Sequence, residues 1–172
     1  RHGGASIRPV QRRLVAHFAA QGLPDLVARR AQCGSAPMGA QLFSTRSSAF
    51  AGASGVGTSA IQLAKARQLQ IAVTVGTADK AAFCRQLGAD IAINYREQDF
   101  SEVLAAAWPE GVALVLDPVA GSYLNSEASV LAVDGKIIIY AMMGGRKIPE
   151  LDLSLLFKKR GQLLCSTLRN RD

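Results

Sequence analysis

The 172-residue chain is long enough for one domain with a substantial core and too short for two domains of ordinary size. A hydrophobic fraction of 49% and a charged fraction of 19% are typical of a globular protein, which argues against disorder. No apolar run reaches the ~20 residues that a membrane-spanning helix needs, so the sequence predicts no membrane partner.

The net charge of +7 is unevenly distributed. Residues 1–50 hold seven arginines, no lysine and one acid, Asp25, so almost the whole excess lies there and the remaining residues are nearly balanced. A nucleic-acid-binding domain would need a basic stripe on its folded part, interleaved with aromatic residues. No such stripe is present, and the sequence predicts no nucleic-acid partner. The three scattered cysteines, Cys33, Cys84 and Cys165, are typical of reduced intracellular thiols, with neither a disulfide framework nor a zinc site.

Residues 1–50 form an atypical N-terminal segment, rich in arginine, alanine and serine, with an amphipathic helix predicted over residues 10–20. Two interpretations remain open. The composition is that of a mitochondrial transit peptide. It is equally that of a remnant or misread part of a missing domain, and the lack of an initiating methionine indicates an incomplete chain. His2 and His17 lie here, and we assign them no role.

A glycine-rich loop begins the regular part of the chain. Gly52, Gly55 and Gly57 fall within six residues, and the apolar residues that follow are spaced as in a helix. Glycines allow a tight turn and the close approach of a bulky anion, and a helix start offers unpaired N–H groups to a pyrophosphate. The G-x-x-G-x-G pattern resembles a dinucleotide-binding fingerprint. By itself, a plain strand-to-helix connection explains it as well.

Strands and helices then alternate regularly through residues 51–172, which we predict to be a dinucleotide-binding domain. Helices are predicted at 55–68, 79–87 (ending at Gly88), 99–107, 122–133 and 151–159, and strands at 71–75, 91–93, 112–116, 136–140 and 162–166. This alternation predicts an α/β, doubly wound parallel sheet of the Rossmann type. We expect the strand order 3-2-1-4-5-6, with the glycine loop at the switch point.

The strand that should precede the glycine loop is degraded in sequence. Residues 44–50 include Arg46 and four hydroxyl side chains. Each unpaired buried hydroxyl costs about 1–3 kcal/mol, so a central strand of this composition is costly. We expect it to be the shortest or least regular strand of the sheet.

The turn after the second strand indicates which nucleotide the domain prefers. An acid at this position would bind the ribose 2′-hydroxyl of NAD, whereas a small hydroxyl with a nearby cation admits the phosphate of NADP. Thr77 and Lys80 suit that phosphate. Asp79 is less suitable, and we expect it to cap the following helix. The sequence therefore favours NADPH as cofactor.

Several motifs together resemble one family. They lie at residues 52–62, 74–78 with 80, 93–97 with 99–100, 116–117 with 121–123, 140–145, 155–161 and 168–172. In combination they are similar to the NADPH-dependent quinone oxidoreductases related to zeta-crystallin, a zinc-free branch of the medium-chain dehydrogenase/reductase superfamily. The resemblance covers residues 52–172.

The resemblance implies cofactor-binding roles for thirteen residues. Those at the pyrophosphate would be Ser54, Gly55, Val56 and Gly57. Those around the adenosine and its phosphate would be Gly76, Thr77, Lys80 and Tyr95. Val119 and Ala120 would line the cofactor, and Tyr140, Met142 and Met143 would lie near the nicotinamide. On spacing alone, Met142 and Met143 are as well explained as core filling, and Tyr95 as a half-buried strand-end aromatic.

The implied activity is reduction of a small-molecule quinone by hydride transfer from NADPH, without a metal. Family members carry a substrate domain, which residues 1–50 do not resemble, so this chain is expected to supply one wall of the quinone pocket. No catalytic residue is assigned. Alternatives are a non-catalytic nucleotide-binding remnant or subunit, and an enoyl-thioester reductase of the same superfamily. The resemblance is compatible with a homodimer or a larger assembly and with the cytoplasm; a transit peptide would instead direct the chain to the mitochondrial matrix.

Overall fold

The computed structural model describes residues 46–49, 51–148 and 150–167. The predicted helix at 10–20 and the interpretations of residues 1–45 as a targeting segment or a remnant lie outside the described residues. The same holds for the last five residues of the chain, 168–172.

Six strands alternate with five helices in the described part of the chain. The strands are β1 Arg46–Ala49, β2 Gln70–Val75, β3 Ile91–Asn94, β4 Val112–Asp117, β5 Leu131–Ile139 and β6 Gln162–Cys165. The helices are α1 Gly55–Ala66, α2 Ala78–Gln86, α3 Phe100–Ala107, α4 Tyr123–Val130 and α5 Leu153–Lys159.

The strands form one parallel sheet in the order β3-β2-β1-β4-β5-β6, as predicted. From β1 the chain adds β2 and β3 on one side of the sheet. It then returns to the other side of β1, where it adds β4, β5 and β6. The loop after β1 lies at this reversal. In open parallel sheets, ligands bind at such a switch point, outside the carboxyl ends of the strands.

β1 is central despite its polar sequence. Ala49 is in register with Val73 of β2 and with Leu116 of β4. Arg46 begins the strand and is partly buried, with 24% of its side chain exposed. Its guanidinium bonds the Gln70 side chain at 3.2 Å and lies 5.8 Å from the Trp108 ring. It also forms an ion pair with Glu110 at 3.5 Å. β1 has four residues and is among the shortest strands, as expected. β3 and β6 have the same length.

Helices cover both faces of the sheet because the central strands are apolar on both sides. On β2, Ile71 and Val73 pack with Ile61 of α1 and Cys84 of α2 on one face. On the other face, Ala72 packs in a second cluster built from α3 and α4, whose buried side chains include Leu104 and Leu124. Apolar residues on successive strand positions thus produce the doubly wound arrangement.

Three predicted helices end earlier in the structure, among them α1, which ends at Ala66 and not at residue 68. The helix predicted over 122–133 ends at Val130, and Leu131–Val133 instead begin β5. Leu131 is fully buried against the sheet, where it pairs with Val112, and the register shifts before Leu114. Asp134, at φ 61°, makes the bend that follows. At the end of α2 the C-cap is Leu87, and Gly88 follows it with φ 107°.

Candidate functional site

The start of α1 is held firmly to the sheet. The Gly52 N–H donates to the Thr74 carbonyl at 2.9 Å, and the Ser54 hydroxyl accepts the Gly57 N–H at 3.1 Å as the N-cap. The N–H groups of Gly55 and Val56 have no acceptor among the described residues, and both residues are partly exposed. Two free donors at the positive end of a twelve-residue helix form a site suited to an anion.

The glycines of this loop are required by close packing. A Cβ on Gly57 would lie 2.5 Å from the carbonyl oxygens of Ala51 and Gly52. A Cβ on Gly52 would lie 2.5 Å from the Cβ of Val73. Any side chain at either position would push the helix start away from the sheet, so these glycines shape the cradle in front of the free N–H groups.

The second part of the site lies where β2 and β3 end. Gly76 follows β2 and Tyr95 follows β3, and the Tyr95 phenol oxygen lies 2.8 Å from where a Gly76 Cβ would be. Tyr95 is 45% exposed, which fits both the predicted place beside the adenosine and the alternative of a half-buried aromatic at a strand end. Thr77 and Lys80 are exposed beside it at the start of α2.

Thr77, and not Asp79, caps α2. The Thr77 hydroxyl accepts the Lys80 N–H at 3.3 Å, with Thr77 in the extended conformation expected of an N-cap. Asp79 lies within the first turn, where its negative charge interacts favourably with the positive end of the helix dipole. The prediction that Asp79 caps the helix was wrong, because the helix begins one residue earlier than predicted.

The loop after β4 is organised by Asp117. Its carboxylate accepts the N–H of Val119 at 2.6 Å and that of Ala120 at 2.9 and 3.0 Å to its two oxygens. The Val119 carbonyl in turn accepts the Gly144 N–H at 2.7 Å. Val119 and Ala120 are thereby joined to the loop after β5.

Burial dominates the electrostatics around Asp117. It raises the pKa of Asp117 above its usual value, although the loop N–H groups oppose the shift. Burial, with the neighbouring Asp117 charge, raises the pKa of Glu127 to about 9. Burial also raises the pKa of Tyr140, with a further contribution from Asp117.

A cavity of about 520 Å³ lies at the carboxyl ends of β5 and β6. Its lining residues are Ile139, Tyr140, Ala141, Met142, Cys165, Ser166 and Thr167. Met142 and Met143 are 56% and 70% exposed, which rules out core filling for both. The predicted nicotinamide residues Tyr140 and Met142 therefore line an open cavity, and Met143 follows them on the same loop.

All thirteen predicted site residues follow strands β1 to β5. Because the strands are parallel, these residues lie on the side of the sheet where the strands have their carboxyl ends. The sequence did not predict a role for Asp117, Glu127 or the residues that follow β6. Asp117 offered a signal, an acid at the end of a buried strand followed by proline. Glu127 offered another, a carboxyl in the apolar helical stripe formed with Leu124 and Ala128.

The described ranges contain neither a cluster of metal-ligating side chains nor a helix able to span a membrane. No three histidine, cysteine, aspartate or glutamate side chains there are grouped so that they could hold a metal ion. The metal-independent reaction stays an expectation. Within the same ranges, no helix has the length and apolar character needed to cross a bilayer.

Residues 55–172 match the family described as zinc-binding dehydrogenase, and the chain belongs to this family. Its six-stranded parallel sheet is the cofactor-domain fold of the medium-chain dehydrogenases/reductases, a class of oxidoreductases.

Particular relatives share this domain. Prostaglandin reductase-3 of Mus musculus is 34% identical over 99 residues, which are 58% of this chain and 26% of the relative. Escherichia coli quinone oxidoreductase complexed with NADPH is 32% identical, with a TM-score of 0.61 over 71% of this chain and 37% of that one. A mycobacterial quinone oxidoreductase is 25% identical, with a TM-score of 0.64 over 87% of this chain and 46% of its own. The chain spans about a quarter of the length of the curated relatives it matches first.

Proposed function

We propose that this chain is the cofactor-binding domain of an NADPH-dependent quinone reductase. One observation carries the proposal. The free N–H groups of Gly55 and Val56 face a glycine cradle at the switch point of a parallel sheet, with Thr77, Lys80 and Tyr95 exposed at the neighbouring strand ends. That combination suits a long dinucleotide better than an isolated phosphate.

The residues present fit the pyrophosphate of such a cofactor. Gly57 and Gly52 leave no room for a side chain between α1 and the sheet, so the helix start stays close to the preceding turn and to Val73 of β2. The two free N–H groups would donate to phosphate oxygens, while the Ser54 hydroxyl already satisfies the N–H of Gly57. The helix dipole adds to this attraction.

The choice of NADPH over NADH rests on Lys80 and Thr77. The Lys80 side chain is exposed and has no ion pair with another described residue, so its charge is available to a 2′-phosphate. The Thr77 oxygen accepts the helix N–H, which leaves its O–H free to donate. Tyr95, over Gly76, would cover the adenosine ribose. The quinone oxidoreductase structure that resembles this domain is a complex with NADPH, which supports the same choice.

The cavity after β5 and β6 would receive the nicotinamide. When bound, NADPH supplies the hydride, and the protein's task is to orient it and to exclude water. Tyr140 and Met142 line the cavity, and Val119 and Ala120 are fixed on the adjacent loop by Asp117. The acceptor, a quinone by resemblance and by the named neighbours, would enter from the open side, where this domain supplies one wall.

The test has two stages, binding and turnover. NADPH fluorescence titration of the 172-residue chain should give saturable binding. Adding a soluble quinone should give slow oxidation with this chain, because one wall cannot hold donor and acceptor at ~3–3.5 Å, and such positioning supplies ~7–11 kcal/mol of the barrier. A chimera with the substrate domain of a quinone oxidoreductase in place of residues 1–45 should be much faster. Absent nucleotide binding, or a chimera that reduces enoyl thioesters but not quinones, would contradict the proposal.

A further inference from the structure

Two carboxyl groups are buried together beneath the loop that follows β4. Asp117 ends β4 and Glu127 lies in α4, and both side chains are 0% exposed. Neither oxygen of Glu127 has an N–H or O–H donor within reach in the part of the chain that the structure describes. Its polar neighbour is the Asp117 carboxyl, which interacts with it directly. Two ionised carboxylates repel each other in a buried site, so the pair is stable only if it holds a proton.

Asp117 is also the group that shapes the cofactor-facing loop. Its oxygens accept the N–H groups of Val119 and Ala120. Ala120 has φ 56°, a left-handed conformation that a residue with a Cβ adopts only when its surroundings impose it. Gly121, at φ 59°, follows, and a Cβ there would lie 2.7 Å from the Gly144 carbonyl oxygen. The position of the Asp117 carboxylate therefore determines the shape of both neighbouring loops.

We propose that Glu127 is a positioning residue for the cofactor. Kept protonated by burial, its carboxyl O–H donates to the Asp117 carboxylate and fixes the oxygens that hold Val119 and Ala120. The inference rests on the proposed function, because the loop is taken to line NADPH. Glu127 does not touch the cofactor and acts only through Asp117.

The surroundings keep this proton in place at neutral pH. The pKa of Glu127 is raised to about 9, first by burial and then by the Asp117 charge. Tyr123, at the start of α4, and Tyr140, after β5, face the same region, and burial raises the pKa of both. Tyr95 and Asp99 interact electrostatically with Tyr123. A pKa of about 9 places the change of charge of Glu127 between pH 7 and 9.5.

Ionisation of Glu127 therefore has a specific consequence. The O–H donated to Asp117 is lost, and a second negative charge is placed against the first in a dry site. Asp117 must then move or draw in water, and the N–H groups of Val119 and Ala120 lose their fixed acceptor. NADPH affinity should fall as the pH passes through the pKa of Glu127.

The test compares Glu127→Gln, Glu127→Leu and the wild-type chain. The Gln amide still donates to Asp117 but does not titrate, whereas Leu provides no donor. The wild type should lose up to about fourfold in NADPH affinity between pH 7 and 9.5, and Glu127→Gln should lose much less. Effects of pH that do not involve Glu127 are common to all variants, so the difference between wild type and Glu127→Gln is the readout. Glu97→Gln, an exposed glutamate, is the control and should follow the wild type.

A second readout does not depend on the nucleotide. Hydrogen-exchange protection of the Val119 and Ala120 amides, measured without NADPH, should fall at pH 9.5 in the wild type, remain in Glu127→Gln and be low at both pH values in Glu127→Leu. If the wild type binds no NADPH, the proposed function fails, and these amides still decide the role of Glu127. Identical pH profiles of protection in wild type and Glu127→Gln would overturn the inference, whether or not Glu127→Leu folds.

Discussion

The Tyr95 phenol oxygen lies 2.8 Å from the point that a Cβ of Gly76 would occupy. These residues follow the neighbouring parallel strands β2 and β3. The Tyr95 N–H donates to the Val75 carbonyl at 3.0 Å, which holds the backbone of Tyr95 beside that of Gly76. The absent side chain of Gly76 thus makes room for the Tyr95 ring. The ring in turn stands at the exposed edge where the adenosine is proposed to bind.

Gly76→Ala should therefore weaken NADPH binding by displacing the Tyr95 ring, with little loss of thermal stability because Tyr95 is half exposed. Tyr95→Ala should also weaken binding. In the double variant, the alanine at position 76 should cost little more, since the ring it displaces is already gone. Fluorescence titration of the four proteins measures this coupling. Strictly additive losses would show that Gly76 acts independently of Tyr95.

The free N–H of Gly55 can be removed without disturbing α1. Gly55 is the first helical residue, where proline is well tolerated, and Ser54 before it has ψ 168°, the extended conformation that a residue preceding proline prefers. Gly55→Pro should keep the melting temperature and lower NADPH affinity. Gly55→Ala is the matched control, because it adds a Cβ and retains the N–H. Equal affinities of the two variants would mean that this N–H does not contact the phosphate.

Much of this fold could be predicted from the sequence because its strands are buried on both faces. The run 71–75 contains no charged residue and is bounded by turns, so its strand and the helices on either side were clear. The end of α4 could not be predicted in this way, because Leu131 and Ala132 are as apolar as residues inside a helix. The bend comes only at Asp134. Their assignment to β5 depends on pairing with β4, which local sequence does not encode.

Part of the candidate site was predicted from the sequence and part was missed. The residues that follow strands were predicted, because a parallel sheet brings the carboxyl ends of its strands together on one side. The Asp117–Glu127 pair was missed because its members lie ten residues apart, and they meet only when α4 packs against the sheet. The predicted cost of the polar β1 sequence is met at Ser48, whose buried hydroxyl has no hydrogen-bond partner among the described residues. Arg46 lessens it at the other end, because it begins the strand and bonds the Gln70 side chain.

Glu127→Gln should stabilise the chain increasingly as the pH rises from 5 to 9. The folded-state pKa of about 9 lies above the ordinary value of a glutamate, so the native state binds a proton that the unfolded state has released. Wild-type stability should fall through this window by up to about 1.4 kcal/mol per pH unit from this group. Below the unfolded-state pKa both states are protonated, and the two proteins should differ least.

Thermal unfolding of both proteins at several pH values checks this prediction. A change of 1 kcal/mol moves the Tm of a domain of this size by about 2–4 °C. Glu97→Gln, which changes an exposed glutamate, should show the pH dependence of the wild type. Parallel curves for wild type and Glu127→Gln would mean that Glu127 is ionised in the folded protein.

The nucleotide preference of the wild type and Lys80→Ala tests the central claim most directly. Both are titrated with NADPH and NADH at low and physiological salt, with Lys158→Ala, an exposed lysine of α5, as the control. A charge-assisted contact to the 2′-phosphate predicts that the wild type prefers NADPH by about tenfold or more. Lys80→Ala should lose most of that preference while keeping its NADH affinity, and Lys158→Ala should match the wild type. Equal affinity for the two nucleotides, unchanged in Lys80→Ala, would contradict an NADPH site at this edge of the sheet.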